Sequence, residues 1–326
     1  MFIGEAARLF GKFCRLLRQI ALQSTKLCVK IPTSSPINTD AKRIYLKRLC
    51  TQLFETNMRL LFASEDVMKK WQIHQPPKEA ARNIKLGSDL SMLCAQVLAS
   101  RGMETVQDAA AFLQNDGLAD PFLTADMQEA ADCINAAMDE GKRICVYGDY
   151  DCDGVTATVI LYSYLLEMGA DVCWRIPQRE EGYGLNEAAV HAMHEDGVSL
   201  IVTVDNGITA IKEAELIAEL GMTLVITDHH QPLQDLPKAA AIVDPHRQDD
   251  TSPFHKLCGA GIALKLTAAL DGGDTTMALE QFGDLAAIAT VADVVELSGE
   301  NRFLVQQGLR LLANTERPGL LALLEK

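Results

Sequence analysis

The chain has 326 residues, 48% of them hydrophobic, and a formal net charge of −14; that length and composition give a buried core for one large or two ordinary domains and exclude a disordered chain. The acidity excludes a protein that coats nucleic acid by positive charge alone, while leaving room for carboxylates that hold metal ions beside a basic groove. Nine cysteines without a CxxC pair read as reduced thiols of a cytoplasmic protein, not as a disulfide frame or zinc ribbon, and no apolar run approaches the roughly 18 residues of a membrane span.

Residues 1–67 hold 11 Lys and Arg against 5 Asp and Glu, so the net +6 there leaves −20 for residues 68–326. This basic extension opens with "MFIGEAARLFGKFCRLLRQIALQSTKLCVKI", amphipathic with Glu5 as its one acid. That is the composition of an organelle transit peptide, and equally of a poorly specified extension ahead of a core that starts at Met68. Residues 68–130 carry helical spacing with turn breaks, as in "DLSMLCAQVLASRG", and predict a small helical lead-in.

From 131 to 300 the rhythm changes. Short β-rich runs ("RICVYG", "DVCWRIP", "SLIVTV", "MTLVIT", "AAIV") alternate with helix-length stretches ("VTATVILYSYLLEMG", "NEAAVHAMHEDG", "ITAIKEAELIAELG"). Strand, helix, strand with glycine at helix ends predicts an α/β fold, a parallel sheet flanked by helices, whose ligands bind at the carboxyl ends of the strands. After about 259 the pattern is mostly helical ("GAGIALKLTAAL", "FGDLAAIATVADVVEL", "NRFLVQQGLRLLAN"), and residues 301–326 read as a helix leading to a further domain.

Position makes the acids informative. Asp149, Asp151 and Asp153 follow the run "ICVY", Asp205 follows "LIVTV", and Asp228, His229 and His230 follow "LVIT". Three strands thus deliver carboxylates or imidazoles to one sheet edge, and Asp293 in "ATVADVVEL" lies on a later helical stretch able to fold back over it. Adjacent carboxylates repel unless cations sit among them, and hard oxygen ligands with one or two imidazoles suit Mn²⁺ or Mg²⁺. Two such ions activate water and steady both oxygens of a phosphoester displacement. The D-x-D-x-D-G run also opens an EF-hand loop, but its twelfth position is Ile160 where a glutamate is required. An Asp-x-Asp phosphatase nucleophile would leave "TDHH" unexplained. Taken singly, Asp205 is as well read as a helix cap, and the histidine pair as a surface feature.

In this order, "VYGDYDCDGVTAT", "IPQREEGYGLN", "LIVTVDNGI", "VITDHH", "DPHR", "LCGAGIALKL" and "IATVADVVEL" resemble the DHH phosphoesterase family, most closely its single-stranded-DNA-specific exonuclease branch. The resemblance spans roughly residues 68–326. It implies metal ligation by Asp151, Asp153, Asp205, His229 and Asp293, with Asp149 close by and Asp205 bridging two Mn²⁺ or Mg²⁺ ions. It also implies catalytic roles for Asp205, His229 and His230, contact of His230 with the scissile phosphate, and 5′ to 3′ degradation of single-stranded DNA in repair and recombination. Arg179 is the expected phosphate clamp, because a guanidinium grips two phosphate oxygens at once; its alternative is an ion pair with Glu180 or Glu181. Asn186 is expected to cap the helix that follows. The family's glycine-rich C-terminal domain and its branch's OB-fold find no match in residues 1–326. Two further readings therefore stay open: a phosphodiesterase of short oligonucleotides or cyclic dinucleotides, and a scaffold protein that kept the fold without the chemistry.

Overall fold

The structure is a computed structural model and describes residues 75–113 and 117–325, in two compact units of 75–110 and 111–325. The expectations for residues 1–67 lie outside the described residues. The first unit contains α1 (Lys78–Leu86), α2 (Met92–Ser100) and the start of α3 (Val106–Leu113). Ser91 caps α2 by accepting from the Cys94 N–H at 3.1 Å. A reciprocal capping box starts α3: Thr105 Oγ1 accepts from Asp108 N, and Asp108 Oδ2 accepts from Thr105 N. The buried residues Ala80, Ala81, Ile84, Ala95, Leu98 and Ala99 lie where α1 packs on α2.

The second unit is a five-stranded, all-parallel sheet flanked by helices, as its alternating pattern predicts. In chain order it runs α4 (Met127–Asp139), β1 (Ile144–Tyr147), α5 (Cys152–Glu167), β2 (Val172–Arg175), α6 (Glu187–Glu195), β3 (Leu200–Val204), α7 (Ile211–Glu219), β4 (Thr223–Thr227) and β5 (Ala241–Val243). The helices α8 (Gly259–Leu270), α9 (Thr275–Ala292), α10 (Gly299–Leu312) and α11 (Pro318–Leu324) follow. The strand order is β2-β1-β3-β4-β5, so the direction of winding reverses between β1 and β3 and opens a crevice at their carboxyl ends.

Strand alternation builds a core on each face. Ile144, Val146, Leu200, Val202 and Val204 point to the face covered by α4, α5, α8 and α9, and are buried there with Ile160, Leu161, Leu165 and Phe282. Cys145, Tyr147, Ile201, Leu224 and Ile226 point to the other face, under α6 and α7. The chain thus buries the middle strands on both sides, which is why they read as unbroken apolar runs. Asn186 does cap α6, accepting from Ala189 N at 2.9 Å. One expectation is corrected: the helical pattern "FGDLAAIATVADVVEL" does not continue through Leu297, because α9 ends at Ala292, Asp293 is its C-cap and Val294 has φ +63°. Among the described residues no helix is long and apolar enough to cross a membrane.

Candidate metal centre

Each strand end adjoining the crevice contributes a group. After β1 the chain turns at once into α5, with Asp151 as N-cap: its Oδ1 accepts from Gly154 N at 2.9 Å. That turn is tight enough that a Cβ at Gly154 would lie 2.6 Å from the Asp149 backbone nitrogen and oxygen. Asp153, in the first turn of α5, is buried, and its two oxygens accept from the first N–H groups of α8, Gly259 at 2.7 Å and Ala260 at 2.8 Å. After β3, Asp205 takes a left-handed φ of +62°, which places its buried carboxylate in the crevice; aspartate and asparagine adopt that conformation more readily than other non-glycine residues.

After β4, Asp228 is buried and accepts four hydrogen bonds. Ile208 N donates to Oδ2 at 2.9 Å; His229 N, His230 N and His230 Nδ1 donate to Oδ1 at 2.7, 3.1 and 2.7 Å. It thereby fixes the path of the two histidines. His229 Nε2 stands 3.0 Å from Asp205 Oδ1, 3.6 Å from Asp153 Oδ2 and 3.9 Å from Asp293 Oδ2. Two overlapping groups are close enough to hold a cation: Asp153, His229 and Asp293, and Asp205, His229 and His230.

Asp153, Asp205, His229 and Asp293 thus come together at the crevice. Asp149 and Asp151 lie beside these groups and in neither of them. Asp149 is fully buried, with no hydrogen-bond partner for either oxygen, and Asp151 is exposed. His230 stands with Asp205 and His229 in a cation-holding group as well as facing solvent, its side chain 45% exposed. Arg179 lies with its guanidinium carbon 5.2 Å from the centre of the Tyr150 ring, while Glu181 pairs with Arg175 at 3.7 Å.

Electrostatics set what the crevice can hold. Burial, with the charges of Asp153, Asp151 and Asp228, pushes Asp205 up to about 10. Burial also raises Asp153, Asp293 and Asp149. Asp228 is the exception: burial would raise it, but His230 and the backbone N–H groups outweigh that and hold it below its ordinary range. Its hydrogen bond raises His230 in return. A set of crowded carboxyls, with Asp205 Oδ1 buried and unpartnered, fits a cation.

Sequence reasoning missed three contributors. Asp244, at the end of β5 in "DPHR", is buried, accepts from His246 N at 2.8 Å and is pushed up to about 7 by burial; the strand-end rule applied to "AAIV" finds it. Tyr183 in "EEGYGLN" donates its hydroxyl to the Asp205 carbonyl at 3.0 Å and stands 3.2 Å from His230 Nε2. Gly259 has no periodic signal, yet a Cβ there would meet Asp205 Cβ at 2.5 Å and Oδ1 at 2.6 Å. We expect Gly259→Ala to displace the Asp205 carboxylate and weaken Mn²⁺ binding at least about tenfold, although alanine is the better helix former. Unchanged affinity by titration calorimetry would show that the close approach is not needed.

Residues 143–290 match the DHH family, N-terminal domain. These residues are a DHH-family N-terminal domain. The chain is 41% identical over 259 residues to the single-stranded-DNA-specific exonuclease RecJ of Bacillus subtilis, covering 78% of this chain and 32% of that one. Over 270 residues it is 36% identical to RecJ of Escherichia coli, covering 78% of this chain and 46% of that one. A structure of RecJ from Thermus thermophilus in complex with Mn²⁺ superimposes with a TM-score of 0.62 at 33% identity, covering 78% of this chain and 36% of that one. The chain spans a third to a half of the length of the curated relatives named here.

Proposed function

We propose that this chain carries the catalytic core of a metal-dependent phosphodiesterase that removes nucleotides from the 5′ end of single-stranded DNA. The observation that carries the reading is the convergence of Asp153, Asp205, His229 and Asp293 at the β1/β3 crevice, in a chain similar to RecJ over three-quarters of its length. Mn²⁺ or Mg²⁺ is the cofactor this donor set suits, and Asp205, His229, Asp153 and Asp293 would hold it, with Asp151 and Asp149 beside them. When bound, such ions supply an activated water and charge to steady the phosphate oxygens.

The chain's own residues do the rest. Asp228 holds His230 Nδ1 at 2.7 Å and the Tyr183 hydroxyl stands 3.2 Å from Nε2, so a substrate phosphate would take Nε2 in place of that hydroxyl. Asp205 is the ligand whose carboxyl must lose a proton. Arg179, braced over the Tyr150 ring, is the phosphate clamp. Residues 131–300 form the catalytic domain, and 68–130 its lead-in.

The test compares Mn²⁺-dependent nucleotide release from 5′-phosphorylated single strands with cleavage of a dinucleotide. Release from the strands, with Arg179→Ala raising KM about tenfold or more and lowering kcat less, supports the reading. Cleavage of the dinucleotide alone assigns the short-oligonucleotide activity, and no cleavage of either in Mn²⁺ assigns a scaffold.

A further inference from the structure

Away from the crevice, the sheet brings two thiols together. Cys145 on β1 and Cys173 on β2 are registered partners of adjacent parallel strands. Such neighbours point to the same face with Cα atoms about 4.8 Å apart, inside the roughly 4.4–6.8 Å range that a disulfide spans. Both side chains join the cluster under α6, Cys145 fully buried and Cys173 partly exposed because β2 is an edge strand.

Their surroundings differ. The neighbouring Cys145 thiol and the Arg143 guanidinium, two residues before Cys145, lower the Cys173 pKa against burial and the opposing Asp171 carboxylate, while Arg143 Nη1 itself donates to the Asp196 carbonyl at 3.2 Å. Cys145 is raised by the neighbouring Cys173 sulfur and by burial, and its own Sγ faces the Val146 carbonyl at 3.9 Å. By contrast Cys152, which lies between two site aspartates, is pushed up to about 11 by burial and by Asp153 and Asp151. A part-exposed thiol near a cation, beside a buried thiol at the registered position of the adjacent strand, is the arrangement of an attacking and a resolving thiol.

We propose that Cys173 and Cys145 form a peroxide-oxidisable pair, Cys173 attacking the oxidant and Cys145 closing the disulfide. In the first step the Cys173 thiolate attacks one oxygen of hydrogen peroxide; the O–O bond breaks, Cys173 becomes a sulfenic acid and hydroxide leaves. In the second step Cys145 sulfur attacks Cys173 sulfur; the S–O bond breaks, the S–S bond forms, and the departing hydroxide takes the Cys145 proton as water. Two thiols are oxidised and one peroxide is reduced to two waters. The pair ties β1 to β2 just before the two loops that carry Asp149–Asp153 and Arg179.

Cleavage on the amino side of aspartate separates the cysteines, placing Cys145 in 139–148, Cys152 in 151–152 and Cys173 in 171–195. The full chain treated with hydrogen peroxide is expected to give peptide 139–148 linked to 171–195, two mass units below the sum of the free peptides. Cys145→Ser is expected to leave a Cys173 sulfenic acid that dimedone traps. Arg143→Ala, an exposed change that leaves the core intact, slows Cys173 oxidation about threefold or more. Oxidation of Cys173 no faster than that of the exposed Cys94 in the unmodified chain, or linkage of Cys173 to any other cysteine, overturns the proposal.

Discussion

Asp205→Asn is expected to abolish most Mn²⁺ binding and, at the same time, to make the metal-free protein more stable. Asparagine keeps the side-chain shape and tolerates the φ of +62°, so the change isolates the charge. The loss of affinity should exceed the roughly 10–100-fold that follows removal of a group merely orienting a ligand. The gain in stability follows from the carboxyl's position, pushed up to about 10 by burial and neighbouring acids. Between the ordinary 3.8 and about 10 the unfolded chain has ionised this group and the folded chain has not, so it destabilises the fold progressively as pH rises. In chelator, Asp205→Asn should therefore melt above wild type by an amount that grows from pH 5 to pH 9, on the order of 1–3 kcal/mol at the upper end. For the same reason, wild-type Mn²⁺ binding at pH 7.5 should release protons, read as a buffer-dependent binding enthalpy. Equal melting of the two proteins across that range would remove the account of Asp205.

Asp228→Ala is expected to be the most damaging change to the fold of the site. It leaves the N–H groups of Ile208, His229 and His230 and the His230 Nδ1 without their acceptor in a buried place, a loss of about 3–5 kcal/mol by denaturant titration. The pH dependence has two limbs. Asp228 is held below its ordinary 3.8, so its stabilisation is present above that value and is lost as pH falls through the folded one. His230 is raised above 6.5, so its contribution is complete below that value and lost as pH rises through the folded one. Wild-type stability should carry both limbs and Asp228→Ala neither; a mutant that keeps the acid limb would show that other carboxylates produce it.

The sheet and its functional edge were readable because the physics is local. Apolar runs such as "LIVTV" and "TLVIT" are too short for helices and are buried on both faces, and each ends in an acid or histidine where a parallel sheet opens. Asp153, Asp205, His229 and Asp293 followed from that rule and from the family motifs. What the sequence hid depends on approach between distant segments. Nothing in "CGAGIAL" announces that the Gly259 and Ala260 N–H groups bind Asp153 from 106 and 107 residues away. Nor does "VVEL", which continues a helical pattern, reveal that α9 stops at Ala292 so that Asp293 turns toward His229. Asp228 is the most instructive residue: it stands in the same motif as the histidines, yet it spends its oxygens on hydrogen bonds that aim them.

The central claim is that three strand ends and the end of α9 build one cation site. Diffraction from crystals grown in Mn²⁺, with anomalous data collected at the manganese edge, tests it most directly. The account predicts anomalous peaks within about 2.5 Å of carboxylate oxygens of Asp205 and Asp153 or Asp293 and of His229 Nε2, and their loss in Asp205→Asn crystals. Peaks confined to other acids, or unchanged peaks in the mutant, would contradict it.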